Sequence, residues 1–118
     1  MSTLTTYLGY DNLTTVVPYA DVDAGTNYDM TDVTEVRAKV DVSGSTIAED
    51  ALEMSSLDTP VTITWDNASG DWQIYLAIGR FPGLTAGKFK LRVIVVEPLY
   101  PNGLVIADAI KLTVVDKP

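Results

Sequence analysis

The sequence predicts an all-β protein in which short antiparallel strands form a two-layer sandwich. Two observations lead to this fold class. Several separate stretches alternate apolar and polar residues with a period of two, which is the pattern of half-buried strands. Clusters of Gly, Pro, Asn and Asp separate these stretches at fairly regular intervals. We therefore expect about seven strands, and a small barrel of the OB type is the alternative.

The two clearest strands are predicted within residues 84–96 and 33–42. In both stretches every second residue is apolar and most residues between them are charged. The apolar positions expected to face the core are Phe89, Leu91, Val93 and Val95 in the first stretch and Val36, Ala38, Val40 and Val42 in the second.

Three more strands follow from the same pattern. Residues 13–19 are rich in β-branched side chains, and because Pro18 donates no ladder hydrogen bond, this strand ends there or lies at a sheet edge. Residues 61–66 and 72–78 alternate on either side of an Asn- and Gly-containing turn, which predicts a β-hairpin. Trp65 and Trp72 are expected in the core or at its rim, and a sugar-stacking surface is the alternative.

The last strand is predicted within residues 104–115, where Asp108 interrupts the apolar set and indicates a bend or bulge. A turn at 97–103 precedes it, because the Asn102-Gly103 pair accepts positive φ. Residues 43–60 have no clear period. We expect a short strand near Ile47 and then an irregular crossover, with a short helix as the alternative.

Composition narrows the function classes. The chain of 118 residues contains neither His nor Cys, so the commonest general base, metal ligand and thiolate nucleophile are all missing. Its net charge of -8 disfavours nucleic acid as a partner. No apolar run is long enough for a membrane helix, and the N-terminus has no signal-peptide pattern. We therefore expect a non-enzymatic protein without a cofactor, made in a reducing cytoplasm.

Residues 1–12 are polar with interspersed aromatic side chains, which predicts an N-terminal arm ahead of a single domain at 13–118. Such an arm either docks on another chain or folds back on its own sheet. For the first case the expected partner-binding residues are Tyr7, Leu8, Tyr10 and Tyr19.

The loop at residues 21–32 is rich in oxygen ligands and gives a weak calcium candidate. Its acidic and amide residues stand at relative positions 1, 3, 7, 9 and 12, which overlaps the spacing of a calcium-binding loop. Gly25 and Thr26 depart from that pattern, so a solvated loop with local hydrogen bonds is the simpler interpretation. The candidate ligands are Asp21, Asp23, Asn27, Asp29 and Asp32.

Two further charged sets are weaker candidates. Asp66, Asp71 and Glu97 are the acids that would have to pair for glycosidic chemistry, but nothing in their spacing shows that they meet in space. The basic residues of 88–92 form a stripe on one strand face. The stripe is interpreted as a solvated face that discourages edge pairing. The alternative is a docking face for an acidic partner, such as the acidic half of a neighbouring copy.

Four short motifs follow one another along the chain. They are Met30-Thr31-Asp32-Val33, the corner Leu84, Ala86, Gly87 and Phe89, the turn Pro101-Asn102-Gly103, and the strand Ile110–Val114. In this order they resemble the small immunoglobulin-like structural proteins of tailed bacteriophages. The resemblance covers about two thirds of the chain, a rough estimate from the motif spacing. Phe89 stands where that family's corner usually has Tyr, so the tyrosine-corner hydrogen bond is not available.

The resemblance implies an antiparallel immunoglobulin-like β-sandwich of about seven strands with an extended N-terminal arm. It also implies a virion component, made in the host cytoplasm, that binds capsid or tail subunits in many copies, with neither nucleic acid nor membrane as a partner. The implied roles are capsid decoration, head-to-tail joining or fibre anchoring. A bacterial carbohydrate-binding or adhesin-type sandwich is the alternative function.

Overall fold

The computed structural model describes residues 4–21, 25–42, 52–59, 61–68, 70–80 and 84–116. Within these ranges the chain is all-β, with ten strands in three sheets and one short 3₁₀ helix. The strands are β1 (Leu4–Tyr7), β2 (Thr14–Val16), β3 (Tyr19–Asp21), β4 (Thr26–Asn27), β5 (Glu35–Val42), β6 (Leu52–Ser55), β7 (Ile63–Ala68), β8 (Asp71–Leu76), β9 (Gly87–Glu97) and β10 (Tyr100–Val115).

The sheets are mostly antiparallel, which confirms the predicted fold class at that level. The largest sheet has the strand order β1-β10-β9-β5-β6, the second has β2-β8-β7, and β3 pairs only with β4. The single parallel pair within the described ranges joins β1 to β10. The expected count of about seven strands is not confirmed, because three short strands form in segments that the sequence assigned to an arm, a loop and a crossover.

One hydrophobic core takes side chains from both larger sheets. Leu91, Val93 and Val95 of β9 are completely buried, as are Ile74 and Leu76 of β8. Residues between them on each strand are more exposed, so the predicted alternation in β5 and β9 is confirmed where the side chains are described. The predicted hairpin is also present as β7 and β8.

The turn between β9 and β10 does not lie at the Asn-Gly pair. Glu97 pairs with Tyr100, so the chain turns at Pro98 and Leu99. Proline fixes φ near −65°, which excludes the turn types whose twist suits a two-residue hairpin loop. A register shift between Tyr100 and Leu104 follows, and Gly103 with φ 96° lies within it. The Asn-Gly signal therefore marks a bulge next to the turn.

β10 is the most irregular strand, with three register shifts against β9. The last of them falls between Ala107 and Ile110, which confirms the irregularity predicted at Asp108. Beyond this point the register is continuous, so Leu112 and Val114 return to the core.

The crossover at 43–60 is more ordered at its end than the sequence predicts. Leu52–Ser55 form β6, an edge strand that pairs with Arg37–Val40 of β5. The helix alternative is therefore wrong for these residues, because Leu52 and Met54 alternate with Glu53 and Ser55 as they would in a strand. The strand expected near Ile47 lies outside the described residues.

Of the two possibilities for the N-terminal segment, residues 4–8 follow the second and fold back on the protein's own sheet. Leu4–Tyr7 pair in parallel with Leu112–Val115, and the Leu8 N–H donates to the Val115 carbonyl oxygen at 2.8 Å. Thr6 is completely buried. Threonine favours strands because its β-branched side chain packs well on a pleated surface, so this polar segment completes the sheet.

Gly79 of the 3₁₀ helix (Ile78–Arg80) keeps the chain after β1 in place. Its carbonyl oxygen accepts the Gly9 N–H at 2.8 Å. A Cβ atom at this position would collide with the carbonyl oxygen of Tyr7 and would lie 2.8 Å from that of Tyr10. The close approach of two backbone segments therefore requires glycine here.

We predict that Gly79→Ala lowers the free energy of unfolding by about 1–3 kcal/mol, because backbone must move to admit the methyl group. Denaturant unfolding measures this loss, and hydrogen exchange at Leu8 and Gly9 should accelerate. Gly25→Ala is the control, since a Cβ there meets no neighbour and only the φ of 69° is strained. Equal exchange at Leu8 and Gly9 in both variants would contradict the proposed role of Gly79.

Candidate interaction surface at the β9–β10 hairpin

The connection between β2 and β5 is tied to the end of β9. Met30 is almost fully buried at 1% exposure, and its carbonyl oxygen accepts the Val33 N–H at 3.2 Å. The Thr34 N–H and hydroxyl both donate to the Val96 carbonyl oxygen, at 2.9 and 3.2 Å. This places the connection beside the β9–β10 hairpin.

Asn27 fixes the β3–β4 ribbon to the second sheet. Its side-chain amide Nδ2 donates to the carbonyl oxygens of Pro18 and Trp72, at 3.2 and 3.1 Å. Its Oδ1 accepts the Trp72 N–H at 2.7 Å. Both functions of the amide are therefore engaged with backbone.

A buried acid lies under the hairpin turn. Glu97, the last residue of β9, is only 7% exposed. Burial of the phenol, followed by its hydrogen bond to Glu97, raises the pKa of Tyr28 to about 12. The Tyr28 hydroxyl thus stabilises a carboxyl group in a poorly hydrated position.

The β9–β10 hairpin, which ends beside Tyr28 and Glu97, exposes apolar side chains. Leu99 is 78% exposed, Tyr100 is 42% exposed and Val105 is 47% exposed. We call these three residues the hairpin patch. Ile94, which pairs with Val105, and Tyr19 of the neighbouring β3 add further apolar surface. Large apolar side chains held in water on a fixed hairpin are typical of a contact surface.

The partner-binding residues expected from the sequence divide into two groups. Tyr7 and Leu8 are half-buried, and Leu8 packs against the core. Tyr10 and Tyr19 are exposed at 51% and 38%. Their partner-binding role stays a prediction. Tyr19 belongs to β3, which contacts β10.

The hairpin patch is not among the sites that the sequence predicts. Leu99 and Tyr100 fall in a predicted loop, no role is predicted for Leu99 or Val105, and Tyr100 is expected only as an exposed aromatic ring in the carbohydrate-binding alternative. The available signal was an apolar pair directly after Pro98, at a turn where polar residues are usual.

Candidate calcium ligands make local hydrogen bonds in the structure instead. Asp29 accepts the Thr31 N–H at 2.9 Å and the Thr31 hydroxyl at 2.5 Å, a local turn that lowers the pKa of Asp29. Asn27 is held by backbone groups, and Asp32 is exposed. Asp23 and the side chain of Asp21 lie outside the described residues. In the part of the chain that is described, no three His, Cys, Asp or Glu side chains converge as a metal site.

The remaining candidates lie in two places. Asp66 and Asp71 lie on the exposed face of the second sheet, whereas Glu97 is buried in the first, so Glu97 does not join the other two acids. Trp65 and Trp72 are half-buried and pack against the core, which confirms their place at its rim.

Comparison with known protein families, with curated proteins and with solved structures finds no match to this chain. Among the residues described, no helix is long and apolar enough to cross a membrane.

We predict that folding stability falls as pH rises from about 10 to about 12, because the unfolded state loses the Tyr28 proton before the folded state does. Tyr28→Phe should reduce this loss, and Glu97→Gln should lower the pKa of Tyr28. Denaturant unfolding at several pH values and tyrosinate absorbance measure the two effects. Identical pH profiles for wild type and Tyr28→Phe would contradict the assignment.

We also predict that Asn27→Asp destabilises the protein by about 2 kcal/mol, because two donors to backbone are replaced by a carboxylate facing carbonyl oxygens. A calcium loop would instead gain affinity from the new acid. Thermal unfolding with and without calcium separates these outcomes. Asn67→Asp, at an exposed position of β7, is the matched control. A calcium-dependent rise in Tm in Asn27→Asp would favour the metal site.

Proposed function

We propose that this protein is a non-enzymatic structural component of a tailed-phage virion, and that it binds neighbouring capsid or tail subunits through the hairpin patch. The class of protein is supported by the order of the four motifs along the chain, which resembles that of small immunoglobulin-like phage proteins. The hairpin patch is the observation that carries the binding role, because it sets exposed apolar side chains on a hydrogen-bonded pair of strands.

We also propose that the two larger sheets form an immunoglobulin-like sandwich. The strand order supports this, because β6-β5-β9-β10 runs as C′-C-F-G would and β2-β8-β7 runs as B-E-D would. Phe89 lies near the start of β9, at the position of the corner residue. The parallel β1 departs from a first strand that joins the B-E-D sheet.

This arrangement suits a protein that acts by contact. The hairpin patch and the β3–β4 ribbon lie at one end of the sheets, as binding loops do in sandwiches of this type. Three apolar side chains bury little area, so a single contact is weak. Many copies on a repeating particle surface would supply the avidity that one copy lacks.

The experiment asks whether the patch directs the protein into particles. We expect wild-type protein to co-purify with phage particles on a density gradient, and Leu99→Asp with Tyr100→Ser to lose most of this association. Val61→Asp introduces the same charge at an equally exposed apolar site, 63% exposed, and should remain particle-bound. Normal incorporation of the patch variant, or no wild-type protein in purified particles, would refute the proposal.

A second candidate function, carbohydrate binding, is favoured by one groove. An open groove of about 290 Å³ is lined by Trp65 together with hydroxyl-bearing and apolar side chains. An aromatic ring next to hydroxyl groups is a common sugar-binding combination. A glycan-dependent rise in Tm that Trp65→Leu abolishes would support it. The other lining residues are Thr34, Ser56, Leu57, Ile63 and Thr64.

A further inference from the structure

The positive charge of this acidic chain is concentrated on one surface. The outer face of the five-stranded sheet consists of the residues that alternate with its buried positions, and we call it the basic face. Six of the eight Lys and Arg residues of the chain belong to it. They are Arg37, Lys39, Lys88, Lys90, Arg92 and Lys111.

The acids on this face only partly balance those cations. Glu35 pairs with Arg37 at 3.1 Å, and Glu53 pairs with Lys39 at 3.5 Å. With Asp41 counted as well, the described residues of the face carry a net charge of +3. Because the whole chain is -8, everything else sums to -11. The molecule is therefore strongly polarised.

Three lysines concentrate the excess charge. Lys90 and Lys111 are direct cross-strand partners, and Lys88 pairs with Thr113 one step away on the same face. On its other side Lys90 lies opposite Asp41 of β5, which offsets part of this charge. Directly opposed like charges destabilise a sheet, since their Cβ atoms lie only about 5 Å apart. None of these three lysines takes part in an ion pair within the described ranges. A bound acidic group would relieve the repulsion between them.

The opposite side of the molecule has complementary charge. On the outer face of the three-stranded sheet, every described residue that alternates with the core is neutral or acidic. Asp66 and Asp71 are both exposed there, and the Asp66 carboxylate accepts the Tyr75 hydroxyl at 2.8 Å. We call this surface the acidic face. Its remaining described members are Thr15, Thr64 and Gln73.

We propose that the basic face of one copy of this protein binds the acidic face of a second copy. The two faces lie on opposite sides of one core, so a pair formed in this way leaves one face of each kind free for further copies. The contact is limited by the three-stranded sheet, about 10 Å wide, which makes it small and transient. This inference does not depend on the proposed virion role.

Salt separates this contact from the general repulsion between acidic copies. At about 0.1 M salt the Debye length is about 10 Å, shorter than the 25 Å minimum extent of the molecule. Net repulsion is then largely screened while charges in contact still attract. At about 1 M salt the contact charges are screened as well. We expect association at the lower salt concentration and its loss at the higher one.

The experiment uses sedimentation velocity and amide chemical shifts of the full chain, from micromolar to millimolar concentration. Wild type should self-associate at about 0.1 M salt, with shifts in both the basic and the acidic face. Lys88→Glu with Lys111→Glu should abolish self-association, as should Asp66→Lys with Asp71→Lys. Mixing the two double variants should restore a dimer, because each retains the face that the other lacks. Unchanged Tm values check that both double variants fold. If the variant with Asp66→Lys and Asp71→Lys does not fold, Asp71→Lys alone replaces it.

Three results would overturn the proposal. The first is a wild-type protein that stays monomeric up to millimolar concentration. The second is a mixture of variants that does not associate, or shifts confined to the basic face, which would indicate a symmetric dimer. The third is a basic face that responds to polyglutamate but not to added wild-type copies, which would assign the face to a different acidic partner.

Discussion

The structure depends on β9, which is hydrogen-bonded on both sides along most of its length. Leu91, Val93 and Val95 have no exposed surface, and the residues between them face outward. Because side chains alternate strictly along a strand, a slip of one residue would bury Lys90 and Arg92 and expose the apolar set. The register of β5 and β10 is therefore set by β9. The hairpin patch and the basic face both follow from that register.

The parts of the fold that the sequence predicts are those whose partners are near in sequence or whose alternation is strict. β5, β9 and the β7–β8 hairpin have a clear period of two, and their burial follows it. β1 was missed because its pairing with β10 depends on contacts across almost the whole chain, which no local pattern records. The β9–β10 turn was misplaced because Pro98 determines the turn and the Asn-Gly pair is left to form a bulge.

The candidate surfaces were predictable to different degrees. The basic stripe at residues 88–92 is visible in the sequence. That Lys39 and Lys111 lie on the same face can be known only from the strand order. The buried position of Glu97 is not visible, since an acid before Pro98 has every local sign of a solvated turn. Tyr28, which is distant in sequence, brings that carboxyl group a hydrogen-bond donor, and no local pattern records this contact.

The parallel pairing of β1 with the end of β10 also determines the order in which the fold is completed. Leu4 finds its partner only when Leu112 has left the ribosome, after roughly a hundred further residues have been made. Long-range pairings of this kind form slowly. Until β10 arrives, β1 is an unpaired strand with free backbone donors and acceptors. Completion of the sheet by its first strand is thus a late event, and the newly made chain is most open to pairing with other strands before it.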